Sequence, residues 1–151
     1  MAPLTDVAND TMWAVVWNGE PYQMDVVRKP KPTIINGTDA IVKISSAAIC
    51  GSDLHVYHGL YGSPTPGWTM GHEGVGYIEA VGPDVHRHKV GDYVVVPDNF
   101  GTGYYPQNLV QQTDMTPGYG TEYTNGVQFG GCQGMYMSSR ISQALIYSVS
   151  S

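Results

Sequence analysis

The chain carries only two cysteines in 151 residues, Cys50 and Cys132, and no C-x-x-C pair. That scarcity argues against a disulfide framework and against a four-cysteine zinc knuckle, and both thiols are expected to be reduced. Positive charge is scarce too: Lys and Arg number 7 against 13 Asp and Glu, for a formal net charge of −6. With no basic stripe to neutralise phosphates, nucleic-acid binding is not expected. No window approaches the ~20 apolar residues that a membrane span needs. The opening MAPLTDVAND also lacks the basic and apolar regions of a signal peptide. A cytoplasmic protein without a membrane partner is therefore expected, and no internal repeat suggests a solenoid.

What the chain does have is glycine (19), proline (10) and tyrosine (11), in a composition 42% hydrophobic and 13% charged. This favours a single turn-rich, mainly β domain over a helical bundle or a disordered chain. "MWAVVWNGE" (12 to 20) reads as a short apolar strand closed by the turn residues Asn18-Gly19, and "YQMDVVRKP" as a second strand ended by Pro30 and Pro32. "DAIVKISSAAIC" (39 to 50) begins with period-two alternation and then turns apolar or small, as a strand does on entering a core. "GSDLHVYHG" suits one or two helical turns, with Ser52 or Asp53 as the cap. "GVGYIEAVG" and "DYVVVPD" read as antiparallel neighbours joined by "PDVHRHKVG". Residues 99–131 hold Gly, Tyr, Thr and Asn without sustained periodicity, so they are expected to form a long irregular excursion with one brief helical turn near 107–112. The tail 139–151 reads either as an edge strand or as a frayed end.

Chemistry concentrates at three residues. Cys50, His72 and Glu73 offer a thiolate sulfur, an imidazole nitrogen and a carboxylate oxygen, the donor types that hold zinc, and each lies at or near the end of an apolar strand. Three protein ligands with one open position is the arrangement of a catalytic zinc. The plainer reading makes Cys50 a small buried hydrophobe and His72 a hydrogen-bonded turn residue.

The stretch "GHEGVGYIEAVGPDV" resembles the zinc signature of the medium-chain alcohol dehydrogenases, matching it at Gly71, His72, Glu73, Gly76, Gly82 and Val85. "ICGSDLHVYHG" is similar to that family's first ligand segment, and "VGDYVVVP" to the strand that follows. The likeness runs in order over roughly residues 12–100, with a weaker echo at "GGCQGMY". The resemblance implies a GroES-like, partly open β-barrel with a few short helices, spanning residues 1–138. It also implies that Cys50 and His72 are ligands of one catalytic-type zinc, with Glu73 as an adjustable ligand or a group beside the metal. Ser52 and His55 fall on the family's proton-relay positions, and Asp53 on the residue that orients a ligand imidazole. The physics of those roles is coherent: a zinc-bound alcohol must lose a proton, and a ligand imidazole needs its other nitrogen held by an acceptor.

Other parts of the family pattern are missing from these residues. No G-x-G-x-x-G follows a strand and opens a helix, so tight binding of NAD or NADP, and hydride transfer by this chain alone, are not expected. Residues 99–131 hold no cysteine, which excludes a structural zinc there, and Met135 stands where the family usually has an acidic residue. Cys132 is read as packing rather than as a substitute ligand.

The leading expectation is a truncated, zinc-binding, alcohol-dehydrogenase-like catalytic domain. In it Cys50, His72 and Glu73 hold the metal, and Ser52, His55 and Glu73 are the catalytic groups. Two competitors stand beside it. One is a cofactor-free lyase, isomerase or cyclase that uses the same site on a small-molecule substrate, with Tyr104, Tyr105, Tyr119 and Tyr123 walling its pocket. The other is a non-catalytic binding or assembly module. Exposed sheet edges lead to the further expectation of a homodimer or larger assembly. His58, His86 and His88 read as loop residues without a site.

Overall fold

A computed structural model of the chain describes residues 11–35, 37–60, 66–96 and 131–140, with the backbone alone for 137–140. Apart from Gly131, the expected excursion lies outside the described residues, as do its four tyrosines and the tail beyond Arg140. In chain order the elements are β1 (Thr11–Trp17), β2 (Met24–Pro30), β3 (Asp39–Ala47), α1 (Gly51–Tyr57), β4 (Gly74–Val81), β5 (Tyr93–Val96) and β6 (Tyr136–Arg140). The protein is thus mainly β, with one short helix among the described residues.

β1 and β2 form an antiparallel pair in continuous register from Thr11 opposite Pro30 to Trp17 opposite Met24. Period two is clean in β1, where Met12, Ala14 and Val16 are buried together with Tyr136 of β6. β2 stops at Pro30, which has no amide hydrogen with which to continue a ladder. The second sheet has the order β5-β4-β3-β6, all antiparallel. Ala40 and Val42 of β3, Ile78 of β4, Val94 and Val96 of β5, and Cys132 make its core. Isolated bridges, Ala14 with Gly134 and Val16 with Thr69, tie β1 to the segments that flank the second sheet. Among the described residues the sheets do not close into a continuous barrel.

Two local expectations are corrected. β3 does not run into the core toward Cys50: Asp39, Ala40 and Val42 are buried, whereas Ser45 to Ile49 are exposed, Ile49 at 72%. The pairing of β3 with β4 slips between Ile41 and Val42 and again between Ile44 and Ser46, which lifts the small residues out to the surface. Nor does Ser52 or Asp53 occupy the helix cap. Cys50 does, with extended backbone, and Asp53 sits at the third helical position, from which its carboxylate accepts the Cys50 backbone N–H at 2.8 Å.

Candidate metal centre

Three segments converge on the site. The first is the turn from β3 into α1, which carries Cys50. The α1 helix is anchored by Val56, fully buried in a cluster with Trp17, Trp68 and Met70, so the face bearing residues 52 and 53 is held against the body of the protein. The second segment is the stretch before β4. Gly71 has a φ of +87°, a backbone region that glycine enters without strain, and the turn it makes presents His72 and Glu73 just ahead of Gly74. An N–H···O bond of 3.0 Å from Ala48 to the Glu73 carbonyl locks the first two segments together.

The third segment is the turn 131–134. Its Cys132 N–H donates to the Gly71 carbonyl at 3.0 Å and its Gln133 N–H to the Met70 carbonyl at 2.9 Å. A Cβ on Gly71 would lie 2.6 Å from Gln133 Cγ, so the two turns touch backbone to side chain.

The ligand atoms of Cys50, His72 and Glu73 all lie within 4.8 Å of one another. Cys50 is half-buried, His72 buried and Glu73 exposed, which gives a cluster sealed on one side and open on the other. A tetrahedral ion with bonds of ~2.0–2.3 Å places its ligand atoms ~3.3–3.8 Å apart, so small side-chain adjustments bring these three to that spacing. The donor set of thiolate, imidazole and carboxylate fits zinc. Cys132 is not in this group: it lies in the turn before β6, fully buried in the core of the second sheet.

His72 is held from both sides. Its Nδ1 faces Asp53 Oδ1 at 3.4 Å, and its Nε2 lies 3.1 Å from Ser52 Oγ. Asp53, itself buried, turns its other oxygen to the Cys50 N–H and to the Gln133 side-chain amide, which donates at 3.4 Å. His55 is exposed one helical turn beyond Ser52, on the same face of α1. Of the residues singled out in the sequence, the structure therefore gathers Cys50, Ser52, Asp53, His72 and Glu73, sets His55 at the rim, and leaves Cys132 in the core. Gln133 was missed by sequence reasoning; the signal was a lone amide between Cys132 and Gly134 in a glycine-rich turn.

Known proteins share this fold. A family profile described as the alcohol dehydrogenase GroES-like domain matches residues 36–147. A zinc-type alcohol dehydrogenase-like protein of Schizosaccharomyces pombe is 36% identical over 102 residues, covering 67% of this chain and 24% of its own length. Zinc-type alcohol dehydrogenase B of Aspergillus flavus is 34% identical over 120 residues, covering 78% of this chain and 28% of its own length. Among solved structures, the alcohol dehydrogenase TADH from Thermus sp. ATN1 superposes with a TM-score of 0.66 at 35% identity, over 87% of this chain and 38% of that one. The chain thus spans about a quarter of the length of these curated relatives.

Proposed function

This chain belongs to the alcohol dehydrogenase GroES-like domain family, and from that premise we propose that Cys50, His72 and Glu73 bind one zinc ion at the centre of an alcohol/carbonyl oxidoreductase site. The single observation that carries the reading is the meeting, within 4.8 Å, of a thiol, an imidazole and a carboxylate brought from two separate segments of the chain. A bound zinc would supply Lewis acidity toward an alcohol or carbonyl oxygen.

The remaining work falls to side chains. Cys50 and His72 form the sheltered wall of the site, and the exposed Glu73 carboxylate, at its open side, is free to approach or withdraw. Ser52 Oγ, within 3.1 Å of His72 Nε2, borders the same space and can accept a proton from a substrate hydroxyl while donating its own. His55, one turn along α1 and exposed, would carry that proton to water in this reading. Hydride transfer in this family reaction uses a nicotinamide cofactor. We assign these 151 residues the metal and proton half of that reaction, because they hold no G-x-G-x-x-G for a dinucleotide. The purified chain with a simple alcohol and NAD or NADP is accordingly expected to show no turnover. A small-molecule alcohol or carbonyl compound as substrate, a cytoplasmic setting and self-association into a homodimer or larger assembly belong to the same reading. No helix among the described residues is long and apolar enough to cross a membrane.

Elemental analysis tests the proposal. Near-stoichiometric zinc in the wild-type chain that is lost in both Cys50→Ala and His72→Ala is the expected result. A metal-free wild type after refolding with zinc, or variants that keep their zinc, would refute it.

A further inference from the structure

We infer that Gln133 is a positioning residue for the metal centre, acting through Asp53; the inference rests on the zinc reading above. Gln133 is fixed at three points. Its backbone N–H donates to the Met70 carbonyl at 2.9 Å, its carbonyl accepts from the Val15 N–H at 3.0 Å, and its Cγ packs against Gly71. The two backbone bonds fix the main chain and the contact with Gly71 holds Cγ, so only the outer torsions of the side chain are left to set the amide. It donates from Nε2 to Asp53 Oδ2 at 3.4 Å.

Asp53 is the only group that reaches both sheltered ligands among the contacts described above. Oδ2 accepts the Cys50 N–H at 2.8 Å, and Oδ1 faces His72 Nδ1 at 3.4 Å. The carboxylate plane therefore couples the turn that carries one ligand to the ring of the other. A half-buried amide donor on Oδ2 restricts rotation of that plane, and so restricts where Oδ1 meets the imidazole. Gln133 thereby links the 131–134 turn, 80 residues away in sequence from Asp53, to the metal-binding geometry. Partners of a ligand's own hydrogen-bonding group typically change metal affinity ~10–100-fold when removed. Gln133 is one step further out, which places it at the low end of that range.

The test is the zinc dissociation constant, read by competition with a chromogenic chelator, beside the thermal midpoint of the metal-free chain. Gln133→Met keeps the length of the side chain and its packing on Gly71 but removes the donor. It should weaken zinc binding about tenfold and leave the metal-free midpoint in place. In an Asp53→Ala background, where the acceptor is gone, adding Gln133→Met should have no further effect on affinity. Unchanged affinity in Gln133→Met would overturn the inference. So would a fall in affinity matched by a fall in the metal-free midpoint, which marks a merely structural residue, or a full additional loss in the Asp53→Ala background. Should Asp53→Ala fail to fold, the Gln133→Met comparison decides alone. Failure of the wild type to bind zinc would instead remove the zinc reading itself, and is distinguishable because it needs no variant.

Discussion

Asp53 divides its two oxygens between the Cys50 backbone and the His72 ring, while Glu73 is an exposed residue. Glu73→Gln touches an exposed side chain and should leave metal-free stability within about 0.5 kcal/mol, yet weaken zinc binding by roughly tenfold or more because a charged donor is lost. Urea unfolding with and without zinc separates the two effects, and an unchanged zinc dependence would remove Glu73 from the ligand set. Lys29 offers a different test. Burial lowers the pKa of its ammonium from the ordinary 10.5, and the Gly67 carbonyl and Thr69 hydroxyl accept from it at 2.8 and 3.2 Å. Between the folded value and 10.5 the unfolded chain binds more protons than the folded one, so stability rises with pH across that window. Lys29→Met should lose this rise in urea unfolding run as a pH series, and a Lys29-dependent fall over the same window would contradict the sign. At this scale Cys50, His72 and Glu73 were legible as candidates from their donor types and from the resemblance, and the structure brings their ligand atoms within 4.8 Å of one another. Gln133 was not, since its contact with Asp53 spans 80 residues and no local period encodes it.

The elements hold the site through a few buried anchors. α1 has only seven residues, too short to be stable alone, so its docking depends on Val56 in the cluster with Trp17, Trp68 and Met70. Val56→Ala removes a fully buried side chain and should cost ~1.5–3 kcal/mol. Because α1 also carries Ser52 and Asp53, the same change should lower zinc retention, measured by elemental analysis after dialysis against a weak chelator. Full zinc retention despite the stability loss would mean that α1 does not position the ligands. Strand positions were readable from the short apolar run of β1 closed by Asn18-Gly19 and from the turn residues and prolines that bound β2, β4 and β5. The exposed end of β3 was not, because Ala47, Ala48 and Ile49 are residue types that usually mark a core, whereas here a register slip precedes them and they lie at the surface. The cap of α1 was misplaced for a related reason. Ser52 and Asp53 are good capping residues, but Asp53 can serve from inside the first turn by reaching back to Cys50.

On the scale of the molecule, two sheets share a junction at β1, the 66–70 stretch and the 131–134 turn, and the candidate ligands His72 and Glu73 follow directly on that junction. The mainly β character followed from composition and turn spacing, whereas the GroES-like assignment needed the resemblance, since alternation alone does not order strands as β5-β4-β3-β6. Among the described residues β6 ends that order, and an edge strand is a template for pairing with a second copy. Sedimentation at micromolar concentration should therefore show a dimer or larger species, and a monomeric mass would contradict it. The central claim, that one thiolate, one imidazole and one carboxylate hold zinc here, is tested most directly by X-ray absorption at the zinc edge of the metal-loaded chain. The account predicts a single sulfur neighbour at ~2.3 Å with nitrogen and oxygen neighbours at ~2.0–2.2 Å, and loss of the sulfur shell in Cys50→Ala. A zinc shell of nitrogen and oxygen alone, or one with two sulfurs drawn from Cys50 and Cys132, would contradict it.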